Sequence, residues 1–291
     1  MSTELKAFKT QQLKKSNIRL KTKRYPKELV IVAEGDSWFD YPLKKDVIDY
    51  LRKKGFAVDN FAKAGDTLEN MIYGSDYKIE NGKIKHLGPT SLQNTLNAIK
   101  KHNPKFVLFS GGGNDIVGSE IKDYLNHHNS KPLSLVNKKI FKLKLEQVEI
   151  ALKFFIEAVI KSRPKTFILM DGYDYAKVNG KGYSFIFRNI RGPWLQPLMA
   201  TKGITTKNKQ TEIIKYLVDE FNALLKKLDN KYAQFNHIDL RGEFPNDKEW
   251  DNEIHLKNNG FKKIANIYHA KMTELLNDDD PIEKYAEEII V

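Results

Sequence analysis

The chain alternates short apolar runs with longer amphipathic stretches. Apolar runs of strand length, rich in β-branched and aromatic residues, occupy residues 29–33, 56–62, 106–109, 166–170 and 235–240. Stretches with helical periodicity follow them, at residues 45–54, 91–102, 140–161, 211–229 and 257–276. Strands that alternate with helices of this length form a parallel sheet that is covered on both faces. The pattern therefore predicts an α/β fold, a three-layer α/β/α sandwich with a central parallel sheet.

Two segments depart from this alternation. Residues 77–86 alternate about Asn81-Gly82, which is the strongest short signal for a β-hairpin. We expect them to form an inserted hairpin near the functional site and outside the main sheet. Residues 178–206 are rich in glycine and proline and predict a long loop or lid, and long irregular loops in compact domains are often functional.

The end of the first apolar run carries the first candidate for chemistry. Gly35-Asp36-Ser37 follows the run directly, so Ser37 falls at the carboxyl end of a predicted parallel strand. In open α/β sheets ligands bind at that edge. Gly35 allows a tight turn or a close backbone approach there, and Asp36 can hydrogen-bond nearby amides. Ser37 is therefore a candidate nucleophile, although serine at a strand end is also an ordinary turn residue.

Two further segments supply the groups that a serine nucleophile needs. The strand at residues 106–109 breaks into glycines and is followed by Asn114, whose amide can donate a hydrogen bond to an oxyanion. Near the carboxyl terminus, His255 lies among carboxylates and an amide, ahead of the last predicted helix. A histidine can accept the proton of a serine hydroxyl and return it to a leaving group. Serine, asparagine and histidine in this order indicate nucleophilic acyl transfer.

At these positions the chain resembles the SGNH (GDSL-type) hydrolase superfamily. Four blocks carry the likeness: Gly35-Asp36-Ser37, Gly65, Gly112-Gly113-Asn114-Asp115 and His255. The resemblance covers about residues 29–275. It implies a flavodoxin-like fold and a serine esterase or lipase that needs no metal or organic cofactor.

The resemblance also implies a role for each matched residue. Ser37 would be the nucleophile and His255 the general base. The backbone amides of Ser37 and Gly65, with the side chain of Asn114, would form the oxyanion hole. Asp115 is expected to be a structural hydrogen-bonding residue behind Asn114.

One position departs from the family pattern. The family usually has an aspartate three residues before the base histidine, and here that residue is Asn252. Three readings remain open: Asp251 takes over after a small backbone shift, a backbone carbonyl orients the ring, or the site is weakened. We expect Asp251 to be the partner, because only a carboxylate stabilises the imidazolium by charge.

Aromatic residues close to these motifs are candidates for substrate binding. Trp38 and Tyr41 follow the nucleophile, Tyr173 follows the strand at residues 166–170, and Trp194 lies in the predicted lid. Aromatic rings suit a sugar ring or an acyl chain equally well. The expected substrate is therefore an ester of a small molecule, a lipid or a glycan.

The two ends of the chain have opposite charges. Of a net charge of +12, residues 1–27 contribute nine basic residues against one acidic residue, and residues 277–291 are acidic. We expect a basic arm at 1–27, a hydrolase-like domain at 28–276 and an acidic tail at 277–291. The arm could contact an anionic surface, although no specific nucleic-acid motif accompanies it. The alternative function is thus a catalytically weak binding protein that is recruited to nucleic acid, a membrane surface or an acidic glycan.

Other features of the composition narrow the function classes. There is no cysteine, which excludes disulfides, thiolate nucleophiles and cysteine-type zinc sites. The histidines have no metal-ligand spacing, so no metal is expected. No run is long enough to cross a membrane and the amino terminus lacks the apolar core of a signal peptide, so we expect a cytoplasmic protein. The oligomeric state stays open.

Overall fold

The computed structural model describes residues 30–75, 77–130, 133–185 and 188–277. The predicted basic arm, residues 1–27, lies outside the described residues, as does all but the first residue of the predicted acidic tail. No helix in the described part of the chain is both long enough and apolar enough to cross a membrane.

A five-stranded parallel sheet forms the centre of the molecule, in the order β2-β1-β5-β6-β9. Its strands are β1 (Val30–Gly35), β2 (Ala57–Asn60), β5 (Phe106–Ser110), β6 (Phe167–Asp171) and β9 (Phe235–Ile238). Every residue of the central strands β1 and β5 is buried. Such continuous apolar runs are expected where a sheet is covered on both faces.

The helices cover this sheet and complete the three layers. They are α1 (Val47–Lys53), α2 (Leu68–Tyr73), α3 (Ser91–His102), α4 (Gly113–Ile116), α5 (Lys138–Ser162), α6 (Gln196–Thr201), α7 (Lys207–Lys231) and α8 (Asn258–Asn277). Helix α1 packs against α8, whereas α2, α3 and α5 pack together and α5 also contacts α7. The predicted three-layer α/β/α fold around a parallel sheet is confirmed.

Local sequence signals set the ends of several helices. Helix α3 has the predicted bounds, because Thr90 and Gln93 form a capping box at its start and Asn103 ends it in a left-handed conformation. Helix α7 begins at Lys207, four residues earlier than predicted. Its first turn is polar, so apolar periodicity did not reveal it.

The two inserted segments differ in how well the sequence described them. Strands β3 (Tyr77–Glu80) and β4 (Lys83–His86) form an antiparallel hairpin that is separate from the main sheet, as predicted. The segment at residues 178–206 is not a continuous loop, and the prediction is corrected here. It contains strands β7 (Tyr183–Phe185) and β8 (Arg188–Arg191), which pair antiparallel, and the short helix α6. Its glycines and prolines lie mainly between these short elements.

Candidate active site

The end of β1 holds Ser37 in a tight turn at the carboxyl edge of the sheet. The backbone N–H of Asp36 donates to the carbonyl oxygen of Ser110 on β5 at 2.9 Å, and the N–H groups of Phe39 and Asp40 donate back to the Asp36 carbonyl. A Cβ atom on Gly35 would lie 2.6 Å from that same Ser110 oxygen. Glycine is therefore needed at position 35, because the two strands approach so closely.

Ser37 and His255 form a hydrogen bond although they are 218 residues apart. His255 lies in the loop before α8, which a bridge between Trp250 and Leu256 closes. Its Nε2 atom is 2.7 Å from Ser37 Oγ, and both residues are buried. This geometry allows the ring to accept the serine proton.

The residue that orients His255 is Asn252, and the expectation of a direct contact from Asp251 is wrong. Asn252 Oδ1 lies 2.9 Å from His255 Nδ1. The same oxygen accepts the backbone N–H groups of Ile254 and His255 at 3.1 and 3.0 Å. These contacts form a tight turn that points residue 252 inward toward the ring and leaves Asp251 outside it.

Asp251 is connected to the ring indirectly. Its Oδ2 accepts the hydroxyl of Tyr41 at 2.6 Å and pairs with Lys44 Nζ at 2.5 Å. Asn252 Nδ2 donates to the same Tyr41 hydroxyl at 3.0 Å. A carboxylate is thus present near His255, but Tyr41 and Asn252 lie between it and the ring.

The surroundings of His255 keep its ring neutral. Burial lowers the pKa of His255 to about 3, opposed by the charge of Asp251 and assisted by that of Lys44. Tyr41 stacks on the ring with centroids 4.4 Å apart, and the Trp194 ring lies 5.6 Å away, edge-on. When the imidazole is neutral and its Nδ1 is hydrogen-bonded to Asn252, the Nε2 lone pair is available to Ser37.

The predicted oxyanion residues Gly65 and Asn114 lie beside each other. Asn114, on α4, donates from Nδ2 to the backbone carbonyl of Asp66 at 2.7 Å, and Gly65 precedes Asp66 in a turn with a φ of 82°. Asn114 also lines one cleft together with Ser37. Asp115 accepts the backbone N–H of Leu68 at 3.0 Å, so it has the structural contact that was expected.

The four candidate substrate aromatics occupy different places. Trp38 and Tyr173 line the cleft at Ser37, and Trp194 is half-buried beside His255. Tyr41 is only 1% exposed and lies behind the imidazole, so it does not form a substrate surface. That part of the prediction is corrected. Tyr41 was assigned to the substrate surface because it is close to Ser37 in sequence, but the turn after Ser37 places its ring against the imidazole of His255.

The structure also reveals contacts that sequence reasoning missed. Glu253 is fully buried and accepts the backbone N–H groups of Gly180, Trp194, Leu195 and Gln196 at 2.5–3.2 Å. It therefore anchors the segment that places the Trp194 ring near His255. No local signal identifies this role, because its partners are about 60 to 70 residues away in sequence.

Arg191 was missed as well. Its Nη1 atom lies 3.4 Å from the position that a Cβ on Gly65 would occupy. An exposed guanidinium therefore borders the turn of the predicted oxyanion hole. Strand β8 brings it there, and the sequence alone predicted no strand at that place.

Among the described residues, no group of three or more potential metal ligands is placed to hold an ion.

Two solved structures with a similar fold are named as lipases. Lipase Lip_vut3 from a goat rumen metagenome has a TM-score of 0.52 at 14% identity, over 83% of this chain and 96% of its own. An extracellular lipase from Streptomyces rimosus also has a TM-score of 0.52 at 14% identity, over 83% of this chain and 98% of its own. The chain therefore shares its fold with these two lipases. No protein-family model and no curated protein sequence matches the chain.

The sheet topology explains why four short motifs come together. The Ser37 turn follows β1, the Gly65 turn follows β2 and Asn114 follows β5, three neighbouring strands of one parallel sheet. Their carboxyl ends meet at one edge, which is where ligands bind in such sheets. His255 reaches the same edge from the loop that precedes α8.

Proposed function

We propose that this protein is a serine ester hydrolase. Ser37 Oγ attacks the ester carbonyl while His255 Nε2 accepts the hydroxyl proton. The backbone amides of Ser37 and Gly65 and the side chain of Asn114 hold the oxyanion of the tetrahedral intermediate. His255 then gives the proton to the departing alcohol, and a water molecule activated by the same imidazole hydrolyses the acyl-enzyme.

The observation that carries this proposal is the line of contacts through the imidazole. Ser37 Oγ is 2.7 Å from His255 Nε2, and Asn252 Oδ1 is 2.9 Å from His255 Nδ1. An amide oxygen can only accept, so Nδ1 carries the proton and Nε2 presents a lone pair. This is the tautomer that a base needs in order to take the serine proton.

Labelling with a fluorophosphonate probe tests the proposed function. Ser37 Oγ forms a bond to phosphorus, fluoride leaves and the serine proton passes to His255, so intact mass spectrometry should show one adduct per chain. The variants Ser37→Ala and His255→Ala should each remain unlabelled. A folded parent protein that gains no adduct would contradict the proposal and favour a binding role.

A further inference from the structure

The cleft beside Ser37 has a composition that suggests what it holds. Two of its lining residues, Ser37 and Asn114, carry the proposed chemistry, and most of the others are apolar. The apolar part of its wall consists mainly of Trp38, Ile116, Val117, Ala176, Val218 and Trp250. Such a surface favours a hydrocarbon group, since burying it removes apolar area from water.

The position of His255 decides which half of an ester enters the cleft. Neither His255 nor Gly65 belongs to the described residues that line it. The imidazole must reach the oxygen of the departing alcohol to protonate it, so the alcohol lies on the His255 side, where the Trp194 ring is 5.6 Å away. The acyl chain therefore lies in the cleft.

The size of the cleft limits the length of that chain. The space inside it is about 40 Å³. One water-sized sphere takes roughly 10–15 Å³, so the enclosed part of the cleft has room for only a few non-hydrogen atoms. That corresponds to the carbons beyond the carbonyl of an acetyl, propionyl or butyryl group.

The walls are held in place by hydrogen bonds at their polar ends. Trp38 Nε1 donates to the carbonyl oxygen of Ile254 at 3.1 Å, and Trp250 Nε1 donates to that of Phe244 at 3.1 Å. The Tyr173 hydroxyl donates to Asp36 at 2.6 Å. Because enlarging the cleft would disturb these contacts, it cannot widen at low cost for a longer chain.

We propose that this cleft is an acyl-binding site that selects short acyl groups, of two to about four carbons. The inference rests on the proposed function and names the substrate class of the same site. It assigns the alcohol part of the ester to the more open side near Trp194.

A series of p-nitrophenyl esters tests this selection. We expect kcat/KM for the acetate and butyrate to exceed that for the octanoate by roughly 10–200-fold. This is the usual discrimination against a substrate whose extra methylene does not fit its pocket. The rate of Ser37→Ala is subtracted as the background. Preference for octanoate in a protein that the fluorophosphonate probe labels would overturn the acyl proposal alone. Absence of both labelling and hydrolysis would overturn the proposed function.

A matched pair of valine variants locates the selection in the cleft. Val218→Ala on α7 removes two methyl groups from the wall and should raise the ratio of hexanoate to acetate activity several-fold. Val148→Ala makes the same change at an equally buried position on α5, away from the cleft, and should leave the ratio unchanged. Equal ratios in the two variants would contradict the assignment.

A second, independent observation concerns the groups behind His255. Burial and the nearby Asp251 carboxylate raise the pKa of the Tyr41 hydroxyl far above its usual range, so this hydroxyl stays protonated. It donates to Asp251 and therefore accepts from Asn252 Nδ2. That contact, with the backbone N–H groups on Oδ1, turns the amide oxygen of Asn252 toward His255 Nδ1.

We propose that Tyr41 and Asp251 are positioning residues of the base. Position 252 has no carboxylate, and the negative charge of Asp251 acts on His255 in its place, through Tyr41 and Asn252. Within the described part of the chain, the other charged and titratable groups around Asp251 include Lys44, Tyr183 and Lys181. Lys44 opposes the charge of Asp251 at the ring, whereas Tyr183 packs its ring on Tyr41 at 5.5 Å.

Kinetics of single and double variants test the positioning proposal. Tyr41→Phe and Asp251→Asn should each lower kcat by about 10- to 100-fold, less than the ~10⁴ lost with a directly bonded carboxylate, and leave KM unchanged. The double variant should be no worse than either single one, because both act through Asn252. In Asn252→Asp, where a carboxylate contacts the ring directly, Asp251→Asn should cost less than threefold.

The pH profile separates positioning from a general structural effect. Asn252→Asp should move the acidic limb of kcat/KM upward, because a carboxylate on Nδ1 stabilises the imidazolium. Lys44→Met should move it in the same direction by removing an opposing charge. Additive losses of kcat in the double variant Tyr41→Phe/Asp251→Asn would overturn the positioning role. So would an acidic limb that stays unchanged in both Asn252→Asp and Lys44→Met. Fluorophosphonate labelling tests the reactivity of Ser37 independently of these results.

Discussion

Replacing Ser37 by alanine is expected to lower kcat on p-nitrophenyl acetate by about 10⁶-fold, as loss of the nucleophile does in serine proteases. The side chain supplies the only atom that the proposed mechanism bonds to substrate, and its Oγ is the atom that lies on His255 Nε2. The residual rate should be that of water attacking an ester held in the oxyanion hole.

The measurement is the initial rate at saturating ester, with folding checked by thermal denaturation. Ser37→Ala removes one hydroxyl from a buried turn, so its melting temperature should stay near that of the parent. Ser130→Ala, a serine in a turn that belongs to neither the cleft nor the catalytic contacts, is the matched control and should keep full turnover. Parental activity in Ser37→Ala would show that another group carries the reaction.

Replacing Asn114 by alanine is expected to lower kcat by about 10²–10³-fold, the usual cost of one oxyanion donor. One N–H of its amide is held by the Asp66 carbonyl at 2.7 Å, which anchors the side chain beside Gly65. The second N–H is then available for the oxygen of the tetrahedral intermediate. Because that oxygen gains charge only during the reaction, the loss should appear in kcat rather than in KM.

Two further variants distinguish loss of the donor from loss of structure. Asn114→Asp keeps the shape but has no donor at neutral pH, so it should be at least as impaired as Asn114→Ala. Asn137→Ala removes the side chain that caps α5, and should cost about 1 kcal/mol of unfolding free energy without changing kcat. If Asn114→Asp hydrolyses the ester at the parental rate, the amide is not an oxyanion donor.

The parts of the fold that could be predicted depend on local signals. Periodicity located the strands of the sheet, since a run such as residues 106–109 is apolar throughout and is followed by Ser110 and three glycines. The hairpin about Asn81 was predicted from its turn residues, whose backbones adopt positive φ. Strands β7 and β8 were missed because three- and four-residue strands between glycines carry too little periodicity to stand out.

The candidate site was predicted where chain order and sheet topology suffice. Parallel strands end at one edge, so Ser37, Gly65 and Asn114 could be brought together from the sequence alone. The error about Asp251 and the misplacement of Tyr41 have another cause. Both depend on which way a side chain leaves a tight turn, and a shift of one residue in a turn reverses that direction.

The sequence by itself determined the layered α/β architecture and the residues at the candidate nucleophile, amide and base positions, because these follow from local periodicity and from short motifs. The tertiary structure alone decided that Asn252 contacts His255, that Asp251 contacts Tyr41 instead of the ring and that Glu253 anchors the segment around Trp194. It also decided the size of the cleft beside Ser37. These contacts join residues up to about 210 positions apart, and such pairings arise only when the chain packs.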